Sequence, residues 1–347
     1  MKFDINAITR KNIKELKPYS TARDDFKGSA SVFLDANENP FSSEFNRYPD
    51  PKQKLLKEAI ARLKSVDQQQ IILGNGSDEI IDLLIRAFCE PGTDNVIIPQ
   101  PTYGMYGVCA GINNVAVRSP KLTSDFELDI QSINECVDEK SRIIFLCSPN
   151  NPSCNLLDKV KIESLLQTFS GIVVVDEAYI DFADTEGLMS WLVRYPNLFL
   201  LQTFSKAWGL AGLRLGVGYG SREIVQILDK IKPPYNINSI TQKAALSAIS
   251  NWMQTQDWVA ILKKERKVLE DALKQLSYVN KVYPSQTNFL LVEMVNAKAC
   301  YQYLLTKGII VRDRSSVILC DNCLRVSVGT PDENKVLIKA LSEYQNI

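Results

Sequence analysis

Six short, unbroken apolar runs recur along the first two thirds of the chain: Ile71-Ile72-Leu73, then NVIIP (95–99), RIIFLCSP (142–149), GIVVVDEAY (171–179), LFLLQTF (198–204) and LGVGYG (215–220). A strand with one wet face alternates apolar and polar residues, so an unbroken run implies burial on both faces. Helical stretches separate the runs. One follows GNGSDE as IIDLLIRAFC and closes at Pro91-Gly92; another, predicted to start at Asp50-Pro51, carries the apolar stripe Leu56, Ile60 and Leu63. Strands alternating with helices predict an α/β fold with a mostly parallel sheet covered by helices. After Pro233-Pro234 the pattern changes to a charge-laced helical stretch over 241–276, then NFLLVEM, GIIVRD and CLRVSVGT. The expectation is a large α/β domain over 30–235 and a smaller α+β domain over 236–347, with residues 1–29 grouped with the latter.

Composition narrows the chemistry. The chain has no histidine, which removes Ser-His-Asp and Cys-His nucleophile systems and most catalytic zinc sites. Its 40 basic and 40 acidic residues cancel, leaving no electrostatic footprint for nucleic acid or an anionic membrane. The longest uncharged stretch, Asn95 to Val117, contains Pro99, Pro101, Gly104, Gly107 and Gly111, a set no lipid-exposed helix would carry. The N-terminus mixes charges through its apolar residues and does not read as a secretory signal. Eight scattered cysteines form no disulfide framework, and the only CxxC, Cys320 with Cys323, precedes a strand and reads as a turn. The expected compartment is the cytoplasm.

Four features lie where the ends of the predicted strands would meet, the rim at which open α/β sheets bind ligands. Asp176 follows Ile172-Val173-Val174-Val175, so a carboxylate stands at the end of a buried strand and must be paired, hold a cation or cap the next helix. Ser205-Lys206 follows LFLLQTF and precedes a glycine-rich turn ending at Arg214. A desolvated lysine there has a depressed pKa and can form a Schiff base with a carbonyl. GNGSDE (74–79) allows close backbone approach and opens a helix whose free N–H groups suit a phosphate, although it fits neither the dinucleotide nor the P-loop fingerprint. SPNNPSC (148–154) brings an asparagine amide over the rim, or simply turns the chain. A phosphate cradle, a Schiff-base lysine, a buried carboxylate and an amide donor together describe a pyridoxal-phosphate pocket.

With LKPYSTAR, LDANENP, NRYPDP, GNGSDEII, PTYGMY, SPNNPS, VVVDEAYIDF, TFSKAWGLAGLRLG, GIIVRDRSS and LRVSVGT in order, the chain resembles the fold-type I pyridoxal-phosphate aminotransferases, and among them the histidinol-phosphate aminotransferases. The resemblance implies a seven-stranded large-domain sheet. It makes Lys206 the Schiff-base residue, Asp176 the partner of the ring nitrogen, and Tyr179 and Asn151 the partners of the ring's phenolic oxygen, with Tyr103 stacked on the ring. Gly76, Ser77, Asp78, Ser205 and Arg214 would hold the cofactor phosphate, and Tyr48 would reach that of the neighbouring subunit, making the active site a property of a homodimer. Tyr19, Asn37 and Arg312 would complete a substrate-phosphate pocket with Arg325. In LRVSVGT, Arg325 faces away from the side carrying Leu324, Val326 and Val328, and its planar fork fits carboxylate or phosphate. The implied reaction is ping-pong transamination of histidinol phosphate with 2-oxoglutarate. Aromatic amino-acid transamination and threonine-phosphate decarboxylation remain open on the same scaffold. A cofactor-binding transcription factor does not fit, because the roughly 30 residues before the first motif are too few for a DNA-binding domain. One departure stands out: the family's NPTG reads Asn151-Pro152-Ser153-Cys154, which strains Cys154 if the turn needs a positive φ.

Overall fold

The structure, a computed structural model, describes residues 3–19, 28 and 30–344. Seven strands, β1 (Ile71–Asn75), β2 (Asn95–Ile97), β3 (Ala116–Arg118), β4 (Ser141–Cys147), β5 (Ile172–Asp176), β6 (Leu198–Thr203) and β7 (Leu215–Tyr219), form one sheet in the order β1-β7-β6-β5-β4-β2-β3. β7 runs antiparallel to both of its neighbours and every other pairing is parallel. Two reversals restore direction, so β1 points the same way as β4, β5 and β6. Their C-terminal ends therefore share one rim, and β7 begins there.

The continuous apolar runs have the expected cause. Along β5, Val173 and Val175 enter one core while Ile172 and Val174 enter the core on the opposite face, and all four are fully buried. β4 and β6 divide in the same way, Ile144 and Leu198 to one side, Ile143 and Phe199 to the other. Each such side chain contributes on the order of 1.5–3 kcal/mol of burial.

A second, antiparallel sheet contains β8 (Val279–Val282), β9 (Phe289–Met294), β10 (Arg312–Asp313) and β11 (Cys323–Ser327) in the order β10-β11-β9-β8. Leu290, Val292, Leu324 and Val326 pack under the helices Ala297–Thr306 and Pro331–Glu343 in a core of their own. Phe289, Leu291 and Cys323, on the opposite face, join the core of the large sheet. Arg325 pairs with Leu291 and shares that face, so it is aimed at the large unit and not at solvent.

Local details differ from the sequence reading. The helix expected at Asp50-Pro51 begins at Lys54, because the Asp50 carboxylate accepts from the N–H groups of Lys52 and Lys54 and holds a turn ahead of it. The stretch 241–276 is two helices, Ser239–Ser250 and Trp252–Leu273, meeting at Asn251. Residues 1–29, grouped above with the small domain, behave otherwise where they are described. Ile8 enters the large-unit core with Ile85 and Phe88, Arg10 donates to the Arg86 carbonyl at 2.9 Å, and Lys230 Nζ donates to the carbonyls of Ile13 and Lys14. Ile8 against the apolar end of the helix Ser77–Phe88, and Arg10 bonded to its Arg86 carbonyl and to Glu90, fix that docking. Ala245 likewise packs in the core of the large sheet. The CxxC is a turn leading into β11, closed by Cys323 N–H on the Cys320 carbonyl.

Cys154 has φ +70° and a fully buried side chain whose thiol lies 3.4 Å from the Pro152 carbonyl. The left-handed backbone costs a non-glycine residue about 1 kcal/mol, and the buried sulfur offsets a similar amount. Cys154→Gly is therefore expected to be nearly neutral in urea unfolding, while Cys154→Ala, which keeps the strain and loses the sulfur, costs about 1 kcal/mol. An alanine variant more stable than the glycine variant would rule out backbone strain.

Candidate active site

The shared rim assembles the site. β1 ends into Gly76, whose φ of +78° turns the chain into the helix Ser77–Phe88. A Cβ at Gly76 would stand 2.6 Å from Arg214 Nη2, and one at Gly216 would collide with the backbone of Ser77. These two glycines let β7 and Arg214 lie against the helix N-terminus, where Gly76 N–H donates to the Arg214 carbonyl at 2.8 Å. Arg214 Nη2 reaches Asp78 at 3.4 Å, and the other oxygen of Asp78 accepts from Tyr103 OH at 3.0 Å. Ser205 follows β6 beside them. Free helix N–H groups, a guanidinium and a serine around a space with no Cβ in it make an anion nest.

Asp176, the last residue of β5, is buried and accepts two hydrogen bonds, from Tyr106 OH at 2.7 Å and Ala178 N–H at 3.0 Å. Burial pushes its carboxyl up to about 6, and the two donors restrain the rise. Among the described residues it has no ion-pair partner. Lys206 lies across the cavity with Nζ 5.7 Å from the centre of the Tyr179 ring. Burial pulls its amine below the usual lysine value; the Arg325 charge adds to this and Asp176 opposes it.

The small unit closes the other side. Arg325 Nη1 donates to Asn151 Oδ1 at 2.6 Å, and Asn151 Nδ2 donates to Tyr179 OH at 3.4 Å. The guanidinium lies over the Phe289 ring at 5.3 Å, and that ring meets Tyr179 edge-on at 5.1 Å. Gly76, Ser77, Asp78, Tyr103, Asn151, Asp176, Tyr179, Ser205, Lys206, Arg214 and Arg325 are thus brought together from separate segments of the sequence.

Three expected residues are placed elsewhere within the single chain, and a fourth, Arg312, stands beside Arg325 without lining the Lys206 cavity itself. Tyr19 is 74 % exposed and borders a hollow of about 530 Å³ with Lys54 and Lys232, away from this constellation. Asn37 and Tyr48 border another hollow, Tyr48 half exposed and stacked on Tyr235 at 4.4 Å. Arg312 is exposed and stands directly across β10–β11 from Arg325. Conversely, sequence reasoning passed over Tyr106. It is a fully buried tyrosine in the otherwise apolar helix Met105–Ile112, and a buried phenol needs an acceptor. The sequence does not show which tyrosine of PTYGMY is buried, and the partner turns out to be Asp176.

The residues fit pyridoxal phosphate. The nest suits its dianion; among the described residues Asp176 lacks the cation that a protonated ring nitrogen would supply, and Lys206 is a desolvated amine with no carboxylate on it. Fold and site together define the fold-type I aminotransferase class.

The family profile described as aminotransferase class I and II matches residues 26–341. A histidinol-phosphate aminotransferase of Cytophaga hutchinsonii is 52% identical over 348 residues, covering 99% of this chain and 100% of that protein. The crystal structure of the histidinol-phosphate aminotransferase from Clostridium acetobutylicum superposes with a TM-score of 0.79 at 25% identity, covering 86% of this chain and 90% of that one. The Sinorhizobium meliloti histidinol-phosphate aminotransferase, solved in complex with pyridoxal-5'-phosphate, shares the fold with a TM-score of 0.79 at 23% identity, covering 87% and 84%. This chain belongs to the class I and II aminotransferases and, within them, to the histidinol-phosphate aminotransferase family.

Proposed function

We propose that the protein moves the amino group of histidinol phosphate to 2-oxoglutarate, giving imidazole-acetol phosphate and glutamate, with pyridoxal phosphate seated at the rim. The observation that carries the substrate choice is the cross-strand pair Arg312–Arg325, neither of which has a carboxylate partner among the described residues, joined to the Lys206 cavity by the bond from Arg325 to Asn151. Such a pair accepts a phosphate in one half of the cycle and the carboxylate of glutamate in the other. The name of the 52% identical relative supports the same choice.

When bound, the cofactor supplies an aldehyde for amines and a ring that withdraws electrons from the substrate carbon. The chain does the rest. Gly76, Ser77, Asp78, Ser205 and Arg214 hold the phosphate, with the Asp78 carboxylate fixing Arg214 and Tyr103 in place. Tyr103 would stack on the ring. Asp176, its orientation set by Tyr106 and Ala178, would keep the ring nitrogen protonated. Asn151 and Tyr179 would hold the phenolic oxygen. Lys206 would hold the cofactor through its side-chain amine and, once freed by the substrate amine, would take up the proton from the substrate carbon at Nζ and give it back to the cofactor. Its depressed pKa leaves a larger fraction of neutral amine for that work near neutrality. Arg325, held by Asn151, sets the substrate's anionic end.

Tyr48 completes the site of a second copy in a homodimer, and its half exposure on one chain supports that arrangement. Tyr19 and Asn37 complete the substrate-phosphate pocket. No helix among the described residues is long and apolar enough to cross a membrane. With all eight cysteines free, a reducing cytoplasm is the proposed setting.

The test is a single half-reaction on the yellow holoenzyme, comparing histidinol phosphate with phenylalanine and O-phosphothreonine by loss of the bound cofactor's visible absorbance. Rapid bleaching by histidinol phosphate alone is expected; equal bleaching by phenylalanine would move the protein to the aromatic transaminases. Arg312→Ala is expected to weaken histidinol phosphate about tenfold or more, with a smaller effect on glutamate. Equal losses would remove Arg312 from the phosphate pocket.

A further inference from the structure

Beyond Arg312 and Arg325, a third arginine belongs to the same patch. The β10–β11 ladder continues past its last regular pair: Arg314 N–H donates to the Cys323 carbonyl at 2.8 Å. Residues on a strand alternate faces with period two, so Arg314, two beyond Arg312 and opposite Cys323, lies on the face that carries Arg325. That face packs toward the large sheet, where Cys323 and Phe289 are buried.

Arg314 is partly buried, and its Nε–H is sealed from solvent without any hydrogen-bond partner. Among the described residues its guanidinium enters no ion pair and no side-chain hydrogen bond. Its surroundings make this costly. Burial lowers its pKa, and the nearby charges of Arg325 and Arg312 lower it further. Three cations collected on one face, none ion-paired with a carboxylate among the described residues, lack their counter-ion. An unpaired buried donor is also a rotamer that no protein acceptor holds, free to turn onto an anion delivered beside Arg325.

We propose that Arg314 is a further specificity-determining residue, one that turns toward the anionic end of the substrate and favours a phosphate dianion over a carboxylate. The inference rests on the phosphorylated-substrate reading above. A carboxylate offers a single charge and two oxygens, which the Arg325 fork alone satisfies. A phosphate offers close to two charges and three oxygens, and the third arginine gives it a further charged donor.

The experiment compares the wild-type holoenzyme with Arg314→Gln and Arg314→Lys in two readouts. One is kcat/KM for histidinol phosphate relative to that for glutamate. The other is the dissociation constant of inorganic phosphate, measured by its competition with glutamate. Arg314→Gln is expected to lower the histidinol phosphate to glutamate ratio by about tenfold to a hundredfold, mainly through KM, and to weaken inorganic phosphate about tenfold. Arg314→Lys, which keeps the charge but not the fork, recovers part of both and serves if the glutamine variant does not fold. An active wild type whose ratio and phosphate affinity are unchanged in the variants, whatever happens to the melting temperature, overturns the role of Arg314. A wild type inactive on histidinol phosphate whose phosphate affinity still falls in the variants overturns the substrate reading and leaves the anion role standing.

Discussion

Lys206→Ala is expected to lower turnover by at least about 10,000-fold, because on the proposed roles it removes both the point of covalent attachment and the amine that moves the substrate proton. The anion nest does not involve the lysine side chain, so the variant should still bind pyridoxal phosphate through Gly76, Ser77, Ser205 and Arg214. It should show free-aldehyde absorbance in place of that of the lysine-bound cofactor. Borohydride reduction followed by peptide mapping should label Lys206 in the wild type and nothing in the variant. A variant that turns over at a comparable rate would sink the assignment of Lys206, and with it the arrangement of the whole rim.

Asp176→Asn is expected to have opposite effects on activity and stability. If Asp176 pairs with the ring nitrogen as proposed, the amide cannot hold that nitrogen's proton in the holoenzyme, and turnover should fall by about 100-fold or more. In the cofactor-free protein the carboxylate is a burden. Its folded pKa of about 6 lies above the unfolded value, so the folded state binds the proton more tightly. Burial of this group costs nothing below about pH 4, costs progressively more up to about pH 6, and amounts to about 3 kcal/mol above that. Asparagine stays neutral throughout. The apo variant should therefore unfold at higher urea concentration than apo wild type at about pH 8 and at nearly the same concentration at about pH 4. A stability difference independent of pH would show that Asp176 is not a buried anion in the apo state. The counterpart is that cofactor binding should stabilise the wild type more than the variant, because only the wild type gains a cation for its carboxylate.

The two predictions trace to one structural fact, that a charged group is held where a strand buried on both faces runs out. Asp176 was legible because four aliphatic residues precede it, a pattern that admits few other readings. Lys206 and Gly76 were legible for the same reason, each following an apolar run too short for a helix. Tyr106 was not, since nothing in PTYGMY says which of its two tyrosines turns inward; that depends on the helix Met105–Ile112 packing so that Tyr106 stacks on Phe145 at 5.0 Å and reaches Asp176. The helix start at Lys54 also escaped, because Asp50 caps a turn in place of a helix and local chemistry permits both.

Arg325 marks the division most clearly. Its alternation with Leu324 and Val326 determined that it points away from the small unit's own core, and the unbroken runs determined that the large sheet would be covered on both faces. These are periodicities, and a periodicity is a property of the chain alone. Whether the other side of β11 meets solvent or a catalytic rim depends on how two sheets dock, which no local pattern encodes. Phe289, Leu291 and Cys323 decide it by joining the core of the large sheet, and their burial carries Arg325 to within 2.6 Å of Asn151, 174 residues away along the chain. The same docking gathers Arg312 and Arg314 beside it. The sequence by itself therefore determined the strands, their burial and the chemical character of each rim residue. The tertiary structure decided which of those residues share a space, because the antiparallel β7 and the packing between the two sheets set distances that the order of residues leaves free.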